Sequence, residues 1–195
     1  MPDAASQTDI VIAGAARTPM GAFQGDLSAM AAPQLGGIAI KAALGDAGCA
    51  ADVVEEVLMG CVLPAGVGQA PARQAGFAGG LDETVPASTV NKVCGSGMKT
   101  VMMAHDLIRA GSAGLVVAGG MESMTNAPYL SAATRGGARL GHAALKDHMF
   151  LDGLEDAYED GRLMGSFAEE CASRYQFSRE AQDDYALQSL ANARA

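Results

Sequence analysis

Short apolar runs alternate with helically spaced apolar residues over about the first 125 residues of the chain. The continuous runs predict buried strands over residues 9–15, 56–63, 84–93 and 114–119. The segments between them have helical spacing and predict helices over residues 34–44, 71–79 and 96–110. Proline stands at the start of the first two, and glycine stands at or beyond the end of each. Apolar strands joined by helices are typical of a mostly parallel sheet covered on both faces, so the pattern predicts an α/β fold.

The third of these helices carries an apolar stripe of its own. Its members are Met98, Val101, Met102, Ala104 and Ile108. A methionine-rich stripe at helical spacing is more often core than a cofactor contact, so we expect this stripe to be buried.

The residue composition and the apolar pattern of the sequence change after Met121. Residues 131–141 are small, polar and glycine-rich, and helical patterns return over residues 167–174 and 178–194. We place a domain boundary near residue 125, which gives an α/β core over residues 1–125 and a second region over residues 126–195. The last helical pattern reaches the final residue without a stop signal, so we expect a truncated chain, with a naturally frayed terminus as the alternative.

The composition and net charge argue against several classes of function. A net charge of -9 argues against a nucleic-acid surface, and no apolar run approaches the roughly 20 residues of a membrane helix. The four cysteines form no CxxC pair and no zinc pattern, so we expect reduced thiols, a cytoplasmic location and no metal site. The one compact basic spot after the first region, at residues 135–139, is either a solvated loop or part of a site.

Cys94 is the strongest candidate for chemistry. It lies where a strand pattern ends and a helix pattern begins, and Gly95, Ser96 and Gly97 follow it. Glycines permit a tight turn and close approach of a substrate. The N–H groups and dipole at a helix start favour a negatively charged sulfur and can stabilise an oxyanion on an attacked carbonyl. From the local pattern alone, a small buried structural cysteine is an equal alternative.

Wider similarity favours the reactive cysteine. The segment NKVCGSGMK resembles the reactive-cysteine signature of thiolases, in particular the biosynthetic, acetoacetyl type. Further segments resemble thiolases in the same order along the chain: ARTPMGAFQG, GQAPARQA, GGMESMTNAP, DGLEDAY and LMGSFAE. The resemblance covers nearly the whole chain from about residue 9.

The resemblance implies an acyl-CoA C-acyltransferase in which Cys94 takes an acyl group from one coenzyme A thioester and its backbone N–H belongs to an oxyanion hole. Condensation of two acetyl-CoA to acetoacetyl-CoA, or the reverse thiolysis, follows from that intermediate. The fold implied is a thiolase N-terminal half, βαβαβαβ, followed by part of an inserted loop domain. Leu154 and Met164 match positions that line the substrate tunnel in the family. Coenzyme A thioesters are then substrates, no cofactor is permanently bound, and a dimer or tetramer is expected.

The chain departs from the family pattern in two places. Leu163 stands where many acetoacetyl-type thiolases carry a histidine, which leaves room for longer 3-ketoacyl chains. The GHP-type histidine motif and the CxGG-type cysteine motif, which supply base and acid in thiolases, do not occur; the histidines are His105, His142 and His148. We therefore expect little turnover from these residues alone and a need for a complementing C-terminal half.

Three alternatives stay open at this point. One is a degradative 3-ketoacyl-CoA thiolase. Another is a non-catalytic truncated fragment or assembly partner that retains part of a coenzyme A pocket. The third, a cysteine hydrolase built on an elbow-like turn, needs a histidine and an acidic partner near Cys94, and no sequence context supplies them.

Overall fold

The computed structural model describes residues 9–194, which group into two compact units. The first unit runs through Met149, and the second begins at Phe150. The domain boundary predicted near residue 125 lies inside the first unit and stays a prediction. The two units are described separately below.

A parallel sheet forms the centre of the first unit. Strand β1 (Glu56–Gly60) pairs in parallel with β2 (Ala87–Val90) on one side and with β3 (Val116–Gly120) on the other. All residues of β1 after its first are buried, as expected for the middle strand of a covered sheet. The α/β fold class with a parallel sheet is therefore confirmed.

Three helices of the first unit pack around this sheet. They are α1 (Ala32–Ala47), α2 (Pro71–Ala78) and α3 (Ser96–Arg109). Proline occupies the first turn of α1 and α2, where no intrahelical N–H is needed. Gly48 ends α1 with a φ of 63°, a left-handed conformation that glycine adopts at little cost.

The main core lies between the sheet and the first two helices. Val57 and Met59 of β1 belong to it, whereas Leu58 points to the opposite face because strand side chains alternate. The other buried members of this cluster come from α1, α2 and the connecting segments: Ala32, Ile40, Leu44, Val54, Cys61, Ala72, Ala75, Leu81, Val85 and Met121. Small residues on the helices allow the elements to approach closely.

The prediction of a strand over residues 9–15 is wrong. This segment has no regular secondary structure, and Val11 and Ile12 are 74% and 80% exposed. It lies along α1, since the Ala15 N–H donates to Asp46 Oδ2 at 3.0 Å. An apolar run becomes a strand only where a neighbouring strand accepts its main-chain hydrogen bonds, and within the described residues this one has no such partner.

The prediction that the apolar stripe of α3 is core is also wrong for most of its members. Met98, Val101 and Met102 are 74%, 45% and 53% exposed. The buried face of α3 instead consists of Ser96, Thr100 and Ala104, spaced four residues apart. Small residues face the sheet here because the helix lies too close to it for larger side chains.

The remaining elements are small. In the first unit, β4 (Tyr129–Leu130) and β5 (Lys146–Asp147) form an antiparallel pair. The second unit contains a π-helix (Phe150–Leu154) and two α-helices, α4 (Met164–Arg174) and α5 (Arg179–Arg194), none of which has a buried residue. Among residues 9–194, no helix has the length and apolar content needed to cross a membrane.

Candidate active site

Cys94 lies in the tight turn that joins β2 to α3. Cys94 is an exposed residue, so a reagent can reach its sulfur. Val93, directly before it, has a φ of 47°. Left-handed backbone is unusual for a β-branched residue, and such strain is typical of functional sites. The turn therefore presents the thiol at the head of a helix, as the sequence predicts.

Ser96 fastens this turn. Its buried hydroxyl accepts the Lys92 N–H at 2.8 Å and donates to the Val93 carbonyl at 2.6 Å. The Gly95 N–H donates to Lys92 O at 3.1 Å, and the Ser96 N–H donates to Val93 O at 3.0 Å. These bonds close the turn on itself and hold Cys94 at its outer edge.

The pattern of the helix start points to its N–H groups as oxyanion donors, and the family resemblance points to the N–H of Cys94. The N–H groups of Gly95 and Ser96 are used inside the turn and do not face a substrate carbonyl. The N–H of Cys94 itself takes part in none of the four bonds that close the turn. Of these three N–H groups, that of Cys94 is the one that the turn leaves for an oxyanion.

Glycines let the start of α3 sit directly on the strand ends. A Cβ added to Gly60, the last residue of β1, would lie 2.7 Å from the Cβ of Ser96 and 2.8 Å from the Gly97 N. A Cβ on Gly120, the last residue of β3, would lie 3.2 Å from the Gly97 Cα. Farther along α3, the buried Thr100 hydroxyl lies 2.8 Å from Gly119 O and fixes the helix to β3. Real side chains at these glycines would push the Cys94 turn away from the sheet.

A cleft of about 290 Å³ opens beside Cys94 at the carboxyl ends of β1 and β3. Ligands of open α/β sheets bind outside the carboxyl ends of the strands, so this is the expected place for a substrate. Its lining is made of small and apolar residues with one carboxylate: Gly60, Val62, Val93, Cys94, Ser96, Gly97, Gly120, Met121 and Glu122. The cleft joins the thiol to space large enough for a small acyl group.

Glu122 closes the cleft on the side of β1. Its carboxylate accepts the Val62 N–H at 2.8 Å and the Leu63 N–H at 3.0 Å, and it lies 3.6 Å from the Cys61 sulfur. Burial, and to a lesser extent the Glu122 charge and its hydrogen bond, raise the pKa of the Cys61 thiol to about 12. Cys61 is therefore a protonated structural thiol, in contrast to the exposed Cys94.

The other residues singled out from the sequence lie elsewhere. Leu154 ends the π-helix of the second unit half-buried, and Met164 begins α4 with 45% exposure. Their predicted role as substrate contacts stays a prediction. His105 is exposed on α3 with its Nδ1 3.3 Å from Asp106 Oδ1, as expected of a surface histidine. His148 is buried and accepts the Ala65 N–H at 3.3 Å, which is a structural role.

Sequence reasoning missed Glu122 and Gly60 as parts of the site. Each stands at or just after the carboxyl end of an apolar strand run, which in a parallel sheet is the edge where ligands bind. That position was the available signal. Among the described residues, no group of three or more His, Cys, Asp or Glu side chains could hold a metal ion.

Comparison with known proteins identifies the family. Residues 10–195 match the family described as thiolase, N-terminal domain. The chain is 53% identical over 182 residues to acetyl-CoA acetyltransferase 2 of Arabidopsis thaliana, with 93% of this chain and 45% of that protein covered.

Two further relatives agree. Identity is 52% over 188 residues to acetyl-CoA acetyltransferase of Cupriavidus necator, which covers 96% of this chain and 48% of that protein. It is 48% over 183 residues to acetyl-CoA acetyltransferase of Saccharomyces cerevisiae, with 93% and 46% covered. The chain spans about half the length of the curated relatives it matches. On the family match over nearly its whole length, this chain belongs to the thiolase family.

Proposed function

We propose that this chain carries the nucleophile of an acetyl-CoA C-acetyltransferase, with Cys94 as the acyl-accepting residue. The observation that supports the proposal most is the exposed thiol at the head of α3 beside a cleft of about 290 Å³. The relatives named acetyl-CoA acetyltransferase support the same reaction class.

The proposed reaction has two steps. In the first, the Cys94 sulfur attacks the thioester carbonyl of acetyl-CoA; a new S–C bond forms, the bond to the coenzyme A sulfur breaks, and coenzyme A leaves as the thiol after taking up the proton lost by Cys94. In the second, another acetyl-CoA loses an α-proton and its carbanion attacks the acetyl group on Cys94. A C–C bond forms, the bond between the acetyl carbon and the Cys94 sulfur breaks, and the released thiolate takes up a proton as acetoacetyl-CoA leaves; thiolysis is the reverse.

The described residues supply the nucleophile and a wall of the cleft but no partner base for it. No hydrogen bond or ion pair within residues 9–194 joins Cys94 to a histidine or a carboxylate. General acid–base help is worth about 10²- to 10⁴-fold in rate. We therefore propose that turnover needs a histidine and a second cysteine from a complementing C-terminal half, as the family resemblance implies.

Several finer points belong to the same proposal. The substrates are coenzyme A thioesters, with Leu154 and Met164 contacting the substrate and no cofactor permanently bound. A homo-oligomer or a complementing half and a cytoplasmic location stay predictions. Leu163, in place of the histidine common in the acetoacetyl type, favours degradative 3-ketoacyl-CoA thiolysis as the second candidate. Rates with acetoacetyl-CoA and with a longer 3-ketoacyl-CoA distinguish the two.

Trapping the acyl-enzyme tests the proposal. The native polypeptide at its full length is incubated with acetyl-CoA, quenched in acid and mapped by peptide mass spectrometry. We expect acetyl on Cys94 and not on Cys171, which is also exposed, and loss of the label in Cys94→Ser. Equal labelling of both cysteines, or a label that survives in Cys94→Ser, contradicts the proposal.

A further inference from the structure

We propose that Glu122 and Asn91 are positioning residues for Cys94, which they hold through a chain of hydrogen bonds that crosses the peptide unit between Val62 and Leu63. The geometric part of this inference stands by itself, and its consequence for acyl transfer rests on the proposed function. Glu122 comes from the segment after β3, Val62 from the segment after β1, and Asn91 from the turn before Cys94. These hydrogen bonds therefore connect the ends of all three strands around the cleft.

The first link joins Glu122 to the peptide unit between Val62 and Leu63, whose N–H belongs to Leu63. Glu122 Oε2 accepts the Val62 N–H at 2.8 Å, while Oε1 accepts the Leu63 N–H at 3.0 Å. Two successive main-chain amides on one carboxylate fix both the carboxylate and the peptide planes that face it. Hydrogen bonds to a charged acceptor are stronger than neutral ones, so the bonds to Glu122 are the strongest in this hydrogen-bonded chain.

The second link runs from the same peptide to the turn. The Val62 carbonyl accepts Asn91 Nδ2 at 3.4 Å, and Asn91 Oδ1 accepts the Val93 N–H at 2.9 Å. The two contacts fix the orientation of the Asn91 amide, because a rotated amide would set nitrogen against the Val93 N–H and oxygen against the Val62 carbonyl. The hydrogen-bonded chain thus ends on Val93, directly before Cys94.

The turn needs such support because Val93 is held in a left-handed conformation, with a φ of 47°. A β-branched residue stays in that region only where its surroundings over-determine it. Ser96 holds the Val93 carbonyl from the helix side, and Asn91 holds the Val93 N–H from the sheet side. Removing the second restraint lets the turn relax and moves the Cys94 sulfur relative to the cleft.

Glu122 lines the cleft, but its geometry fits a positioning role better than that of a base. Both of its oxygens already accept main-chain N–H groups, and Oε1 also lies 3.6 Å from the Cys61 sulfur. Taking a proton would remove the negative charge that strengthens these bonds, so they oppose a role as a base. Glu122→Gln keeps the shape of the side chain but sets an NH₂ group against one of the two amides, which breaks the first link.

Hydrogen exchange tests the geometric claim on the full chain. We expect the amides of residues 92–96 to exchange about tenfold faster in Glu122→Gln and in Asn91→Ala, since the loss of a charge-assisted or an amide hydrogen bond is worth about a decade in an opening equilibrium. Asn91 is exposed, so Asn91→Ala is expected to fold even if Glu122→Gln does not. Unchanged exchange in both variants, with the fold intact, overturns the inference.

Glu55→Gln is the matched control. Glu55 precedes the amino end of β1, and its Oε2 accepts the Gly114 N–H at 3.0 Å, so the variant removes a similar bond at the opposite end of the same strand. It is expected to leave the exchange of residues 92–96 unchanged. If it speeds their exchange as much as Glu122→Gln does, the effect is general loosening of the sheet and the inference is overturned.

The rate of Cys94 acetylation distinguishes a failure of this inference from a failure of the proposed function. In the full-length protein, we expect Glu122→Gln and Asn91→Ala to lower the rate of Cys94 acetylation by acetyl-CoA about tenfold, with a combined effect smaller than the product of the two because both act on one chain. Normal acetylation in both variants removes the positioning role while the proposed function stands. No Cys94 acetylation in the unaltered protein removes the proposed function, and the exchange data still decide on the hydrogen-bonded chain.

Discussion

The two units of this chain hold their candidate functional residues in different ways. In the first unit, the Cys94 turn is closed by main-chain bonds and seated on glycines at the ends of a buried sheet. In the second, the segment between Leu154 and Met164 has no buried residue. It is held by a few main-chain bonds, such as the Asp156 N–H on Arg162 O at 2.8 Å, and by the Arg162 guanidinium on Glu159 at 2.7 Å.

The difference shows which part of a site a chain can fix by itself. A nucleophile must be placed within fractions of an ångström, and buried elements whose atoms touch on all sides provide that. Surface ion pairs contribute little and are screened by salt. The position of Cys94 is therefore set by contacts within the first unit, whereas the substrate contacts proposed for Leu154 and Met164 rest on sequence resemblance.

The largest expected effect comes from a pair of leucines, one in each unit. Leu58 is 2% exposed on β1, and Leu187 is 64% exposed on α5. We expect Leu58→Ala to lower the free energy of unfolding by about 2–5 kcal/mol and Leu187→Ala by less than about 0.5 kcal/mol. Urea unfolding followed by circular dichroism measures both, and equal losses would erase the contrast between the units.

The next effect concerns the seat of the Cys94 turn. Gly60→Ala sets a Cβ 2.7 Å from the Ser96 Cβ, so we expect a loss of about 1–3 kcal/mol from overpacking and slower acetylation of Cys94. Gly45→Ala on α1 is the control, since a Cβ there meets nothing within 4 Å and should stabilise the helix by about 0.5–1 kcal/mol. Full Cys94 reactivity in Gly60→Ala would show that the close approach does not position the thiol.

A pH effect follows from the buried Cys61. Burial and then Glu122 raise its pKa from 9.0 to about 12, so between these values the unfolded chain has lost a proton that the folded chain keeps. Its contribution to stability is complete below about pH 9 and falls as pH rises, by up to about 1.4 kcal/mol per pH unit. The free energy of unfolding, measured at several pH values, should fall less steeply with rising pH in Cys61→Ala than in the unaltered protein. Parallel curves for the two proteins would place the Cys61 thiol in a less buried setting.

The smallest effect is expected from Arg162 in the second unit. Its guanidinium pairs with Glu159 and Glu170 and lies 3.9 Å from the Phe167 ring centroid. We expect Arg162→Met to leave the midpoint of thermal unfolding unchanged and to speed hydrogen exchange only over residues 156–162. A large drop in the midpoint would mean that this unit depends on its ion pairs more than the exposure of those residues suggests.

The sequence predicted the parallel sheet better than it predicted burial. The parallel sheet and the position of Cys94 between a strand and a helix follow from local patterns: apolar runs, a glycine-rich turn and a helix start. Residues 9–15 form no strand and Met98 of α3 is 74% exposed, although both belong to apolar patterns. Pattern gives the period of an element but does not say which neighbour covers it.

The supporting residues could not be predicted for a related reason. The role of Glu122 depends on main-chain amides of Val62 and Leu63, about 60 positions earlier in the chain, and that contact exists only after β1 and β3 pair. Likewise, the N–H groups of Gly95 and Ser96 looked available to an oxyanion from the sequence, yet the turn itself uses them. Such assignments need the hydrogen-bond partners, which residue spacing does not contain.

Protection of Cys94 by substrate tests the central claim most directly. The full-length protein is treated with a small amount of iodoacetamide, with and without acetyl-CoA, and the alkylation of each cysteine is followed by mass spectrometry. The account predicts that Cys94 reacts faster than the exposed Cys171, that among the four cysteines of this chain acetyl-CoA slows only Cys94, and that buried Cys61 stays unmodified. Alkylation of Cys94 that is slow, or that acetyl-CoA leaves unchanged, would contradict a nucleophile beside an acyl-binding cleft.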